Sequence, residues 1–200
     1  MPRPKSFDPE AVLCKAMGVF WEKGYDAASI SDLTAAMGIN RFSLYDTFGD
    51  KHTLYIKALD SYFQSVVEPV LERVRAMDSI EDLEAHFVGV VEFHQSREST
   101  PCCMIQKTAV SMASGDDAAR DRVQQTRARF REAFEEVLRR LKDKGEIAED
   151  VAVADAAMLL MTMQTGLVSS SAVPLPAEEA TAAVRLLIGR LKPAPSVVAR

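Results

Sequence analysis

The chain has only three cysteines, Cys14, Cys102 and Cys103. None forms a C-x-x-C pair, which excludes a disulfide framework and a zinc knuckle and points to a reducing, cytoplasmic setting. Adjacent cysteines seldom bridge each other, since a disulfide spans Cα atoms roughly 5.5–6 Å apart. Aromatics make up 7% of the residues and no segment alternates apolar and polar positions, so half-buried strands are not expected. No glycine-rich phosphate loop and no nucleophile with an oriented base is present. His94 with Cys103 is the one candidate pair, and it lacks a third group, so catalysis is not expected. His52, His86 and His94 show no ligand spacing with the cysteines, and neither a metal nor a cofactor is expected.

Long apolar runs are also missing. The N-terminus meets Asp8 and Glu10 before any apolar stretch, so it does not read as a signal peptide. Residues 156–177 carry no charge, but Thr162, Gln164, Thr165, three serines and two prolines interrupt them. That suits a buried or interfacial helix better than a membrane span. An excess of positive charge is absent too. The net charge is −5, with residues 1–57 neutral and the deficit confined to 58–200. Nucleic-acid binding would therefore need basic groups gathered on one face.

What remains is rich in Ala, Leu, Met, Glu and Arg, and it predicts an all-α fold. Asp8 caps a first helix with Pro9 at its start, Val12, Ala16, Val19 and Phe20 on one face, and Gly24 at its end. Ser29 and Asp32 form a capping-box pattern for a second helix that stops at Gly38. Asn40 caps a third, ending near Thr47. A long fourth helix is expected from Lys51 to about Val67, with Pro69 as its end or a kink. Further helices are predicted over 80–97, 102–113, 116–144, 152–172 and 177–191. Leu83, Phe87, Val90, Val91 and His94 form the stripe of the first of these. Ala180, Val184, Leu187, Ile188 and Leu191 form that of the last.

Two short helices around a glycine turn between 29 and 47 are the parts of a helix-turn-helix, although a generic helical hairpin shows the same pattern. In the DNA-binding case the third helix enters the major groove. Arg41, Ser43 and Thr47 are then expected to face outward, with Leu44 and Phe48 facing inward.

The run GYDAASISDLTAAMGINRFSLYDTFGDKHTLY (24–55), with LYDTFGDK (44–51) as its most specific part, resembles the TetR/AcrR family of bacterial repressors. CCMIQKTAV (102–110) resembles a GCLLVNTA-type helix start in one branch of that family, departing at Cys102 and Lys107. Phe42 stands where proline is common. The resemblance implies a three-helix DNA-binding domain at 1–57 and a helical effector-binding and dimerisation domain at 58–200. It implies a dimer on a palindromic double-stranded operator, with a mostly apolar small-molecule effector releasing it. Arg41, Phe42 and Ser43 sit at the base-reading positions, and Ser29, Tyr45, Thr47 and Lys51 at the phosphate-gripping ones. Tyr45 as a core aromatic and Lys51 as a solvated charge are the alternatives.

For the effector, Phe87, His94, Cys103, Met104, Met158, Met161 and Gln164 are the candidate pocket residues, each equally explicable as core packing. Methionine suits an irregular apolar cavity. Cys103 also allows a second reading, a repressor that senses electrophiles or oxidants through a thiol activated by a helix N-terminus and Lys107. The apolar faces at 156–168 and 180–191 are expected to form the dimer interface.

Overall fold

A computed structural model describes residues 7–95, 102–112, 115–170 and 175–194, with the side chains of His94 and Gln95 outside the described set. Among the described residues the chain is helical. In order come α1 (Pro9–Ala27), α2 (Ile30–Met37), α3 (Arg41–Phe48), α4 (Lys51–Tyr62), a π-helical turn (Phe63–Val67), α5 (Glu68–Arg75) and α6 (Ile80–Gln95). After these follow α7 (Met104–Ser111), α8 (Asp117–Asp143), α9 (Val153–Ser169) and α10 (Ala177–Leu191). No described helix is long and apolar enough to cross a membrane.

The expected caps are made. Asp8 accepts from the Glu10 amide at 3.0 Å, and Asp50 opens α4 by accepting from the Thr53 amide at 2.7 Å. Gly24 has φ 80° and ψ 175°, a conformation that only glycine adopts cheaply, and it interrupts α1 where the sequence places its end. The single helix expected over 51–67 is corrected. The α-helix ends at Tyr62, the Glu68 amide reaches back five residues to the Phe63 carbonyl, and α5 then begins with Pro69 in its first turn. Proline has no amide to give and its ring crowds the carbonyl four residues back, so the chain re-phases just before it. The helix expected over 102–113 is likewise shorter, with Cys103 as the residue preceding α7 rather than a member of its first turn.

Packing groups the chain into two compact units, Met1–Glu68 with Pro101–Thr126, and Pro69–Thr100 with Arg127–Arg200. In the first, α1 lies against α2, α4 and α7, and the core holds Phe20, Leu33, Leu44, Leu54, Tyr55 and Met104, all fully buried. Burying each such side chain contributes about 1.5–3 kcal/mol, before the entropy of ordering it. In the second unit α6 packs on α9 and α10. Leu83, Phe87, Phe134, Leu138, Leu160 and Ile188 are its interior. The stripe assigned to α10 is shifted slightly. Ala180, Val184, Ile188 and Leu191 are buried, but Leu187 is half-buried and Leu186 is 65% exposed.

Candidate nucleic-acid interface

The first unit's turn and two short helices are held by side chains that close on their own backbone. Ser29 Oγ accepts from the Asp32 amide at 3.0 Å while Asp32 Oδ2 accepts from the Ser29 amide at 3.0 Å, a complete capping box. Lys23 adds an ion pair to Asp32 at 2.7 Å. That bond foremost, with the Ser29 bonds behind it, holds the Asp32 carboxyl far below the usual carboxylate range. Gly38, at φ 69°, closes α2 by donating to the Thr34 carbonyl at 3.0 Å. Two residues later Asn40 accepts from the Ser43 amide at 2.8 Å and starts α3. Leu33, Met37, Leu44 and Phe48 are buried, which fixes α3 on α2 and leaves its other face open.

That open face carries Arg41, Phe42, Tyr45 and Asp46, all exposed, with Phe42 at 79%. The Arg41 guanidinium lies 5.6 Å from the Tyr45 ring centre, with Nη2 3.4 Å from the Tyr45 hydroxyl, so the two side chains run along the helix together. Tyr45 is thus a surface aromatic and not a core one. Ser43 is half-buried. The expectation that Thr47 faces outward is corrected, because its hydroxyl is buried and meets no hydrogen-bond partner among the described residues. Ser29 is exposed, although its hydroxyl already donates to Asp32.

Lys51 opens α4, the end of a helix dipole where a cation is least favoured. Its ammonium stands 4.5 Å over the Tyr25 ring and 3.5 Å from the Asp26 carbonyl, contacts that offset the misplacement. The sequence reading had no role for Tyr25. Its ring meets Tyr55 at 5.0 Å and His52 at 6.4 Å, and burial, then Asp50, Asp116 and Asp26, push its hydroxyl pKa up. The only foretaste of this is the aromatic directly after Gly24.

The residues proposed for an effector fall in both units. In the first, Met104 is fully buried and Cys103 half-buried. In the second, Phe87 is fully buried, Gln164 is buried, Met161 is half-buried and Met158 is 44% exposed. The side chain of His94 lies outside the described residues. A different histidine carries the polarity of this interior. His86 shares a 2.9 Å hydrogen bond with Gln164 Oε1, and its ring meets Phe87 at 5.0 Å and Phe134 at 6.3 Å edge-on. Burial lowers the His86 pKa more than the Gln164 bond raises it, so the ring is neutral at physiological pH. The signal was its spacing, three residues after Leu83 and four before Val90, on the edge of the stripe.

A capped helix, a left-handed glycine turn and a second helix with an arginine and two aromatics on its open face define a helix-turn-helix module for DNA. Residues 12–58 match the family described as "Bacterial regulatory proteins, tetR family", and residues 79–187 match "Tetracyclin repressor-like, C-terminal domain". The chain belongs to the TetR family of transcriptional regulators. It is 33% identical over 162 residues to the uncharacterized HTH-type transcriptional regulator YezE of Bacillus subtilis, covering 80% of this chain and 84% of that protein. To the HTH-type transcriptional repressor ComR of Escherichia coli it is 35% identical over 120 residues, 58% of this chain and 57% of ComR. Among solved structures it resembles a cysteine mutant of the TetR family regulator CifR complexed with 26-base-pair operator DNA. The TM-score is 0.79 at 29% identity, over 94% of this chain and 98% of that one.

Proposed function

We propose that this TetR-family regulator is a cytoplasmic homodimeric repressor that holds a palindromic operator and lets go when a small, mostly apolar molecule binds its body. Residues 1–57 read DNA in this scheme, and 58–200 bind the effector and join the two copies. The observation that carries it is the open face of α3, where Arg41 and Phe42 stand exposed on a helix fixed from behind by Leu44 and Phe48. Arg41 offers a bidentate contact to guanine, Phe42 an apolar contact to a thymine methyl, and Ser43 a hydroxyl to either base. Tyr45 and Lys51 supply phosphate contacts, which set register without reading sequence. Ser29 adds its exposed position at the α2 cap, and Thr47 joins them only if its hydroxyl turns outward. CifR's operator complex is consistent with this use of the shared fold.

Selection from a random pool of duplexes at physiological salt tests the reading. The expected product is an inverted repeat bound by two copies of the chain. Recovery of unrelated sequences with no repeat would overturn it. A second reading, release through modification of Cys103, is favoured by the place of that half-buried thiol directly before the N-terminus of α7. Loss of operator binding on oxidation in wild-type protein but not in Cys103→Ser would select it.

A further inference from the structure

The first unit places two adjacent thiols, Cys102 and Cys103, beside the chain's only tryptophan. Both are half-buried, neither is in a disulfide, and Cys103 immediately precedes α7. The Trp21 indole donates to the Cys102 carbonyl at 3.1 Å, and the Tyr62 ring meets Trp21 edge-on at 5.1 Å. Lys107 closes the cluster by donating to the Trp21 carbonyl at 2.7 Å and the Glu22 carbonyl at 3.1 Å. The Tyr62 hydroxyl is pushed up first by burial and then by Cys103, with a smaller contribution from Cys102.

Neighbouring Cα atoms across a trans peptide are about 3.8 Å apart, less than the roughly 4.4–6.8 Å that a disulfide takes. The pair is therefore poorly built to oxidise onto itself. One larger atom inserted between the sulfurs enlarges the ring by one member and removes the S–S torsion. We propose that Cys102 and Cys103 together form a chelating site for trivalent, thiophilic metalloids, with organoarsenic(III) compounds as the ligand class. With phenylarsine oxide both S–H bonds and the As–O bond break and two As–S bonds form. The two thiol protons leave with the oxygen as one water, and no oxidant or reductant takes part. This differs from a sensor that uses Cys103 alone, and it stands whether or not the chain is released from DNA by its effector.

Closing the ring twists the peptide whose carbonyl Trp21 holds, so Trp21 fluorescence reports it. Titration of the full chain with phenylarsine oxide, without DNA, is expected to saturate at one equivalent and shift that emission. An excess of 2,3-dimercaptopropanol should reverse it and the same thiol concentration of 2-mercaptoethanol should not. Cys14→Ser should behave as wild type. Cys102→Ser and Cys103→Ser should each weaken binding about 10²-fold or more, because the second bond is no longer intramolecular. On wild-type protein, peptide mapping should find the adduct on the segment holding both cysteines, with Cys14 still open to maleimide. Equal affinity in either serine variant, equal reversal by the monothiol, or an adduct on Cys14 would overturn the proposal. Operator binding is measured separately, so its failure would count against the repressor reading and leave the site intact.

Discussion

The Tyr55 hydroxyl and Thr108 Oγ1 lie 2.8 Å apart inside the first unit, joining α4 to α7 across 53 residues of sequence. Thr108 also donates to the Met104 carbonyl at 2.8 Å, so Tyr55 is the donor in the shared bond. The two partners are consequently unequal. Tyr55→Phe leaves Thr108 its carbonyl partner and should cost about 0.5–1.5 kcal/mol. Thr108→Val strands a buried phenol, and the cost should be at the upper end of about 1–3 kcal/mol. Urea unfolding of both variants checks the order, and a costlier Tyr55→Phe would refute the assignment of donor.

Arg41→Ala and Lys51→Ala should weaken DNA binding in different ways. Loss of Arg41 removes about 1–3 kcal/mol of discrimination at one operator position. Loss of Lys51 should weaken all sequences alike and lower the salt slope by about 1. Titrations against the operator and single-base variants at several salt concentrations separate the two. Identical loss of discrimination from both changes would be the contrary result.

Assembly is best tested at Leu186. It is 65% exposed on α10, and Met158 and Leu159 are exposed on α9 at 44% and 47%. A glutamate at 187 would damage the monomer, because Leu187 is half-buried. Leu186→Glu should instead give folded monomers that bind the operator weakly, since one head grips a half-site. Light scattering and circular dichroism on the same sample decide it. A variant that remains dimeric at micromolar concentration argues against this interface.

His86 gives a pH dependence whose sign follows from its burial. Its pKa in the folded protein lies below the ordinary value of 6.5, so the unfolded chain binds the proton more readily. The stability that depends on a neutral ring is full above that ordinary value and falls as pH drops through it toward the folded pKa. His86→Gln should flatten this part of the stability curve below the ordinary histidine pKa of 6.5. An unchanged slope would show that other groups set it.

Much of the helical frame was legible because caps and glycines are local chemistry. Asp8, Ser29, Asn40 and Gly38 act within three or four residues of themselves, and their roles follow from spacing. The π-helical turn before Pro69 was not legible, since whether a proline ends, kinks or re-phases a helix depends on packing further along the chain. Arg41 could be placed on the open face because Leu44 and Phe48 leave it no other orientation, whereas Phe42 was marked only by the family resemblance. Thr47 could not, because a single rotation of a threonine decides whether its methyl or its hydroxyl turns inward. His86 shows the same limit, for a stripe does not say which of its edges meets Gln164.

The discontinuity of the first unit has a consequence for how the protein is made. Phe20, Tyr55 and Tyr62 belong to a core that also needs Met104, Ile105 and Thr108 from α7. A ribosome that has released the helix-turn-helix into solution has therefore not yet supplied its lid. The head must wait, partly uncovered, until translation passes Thr126. For the same reason a transplant of the first 68 residues onto a foreign body would carry the DNA-reading face and leave part of its foundation behind.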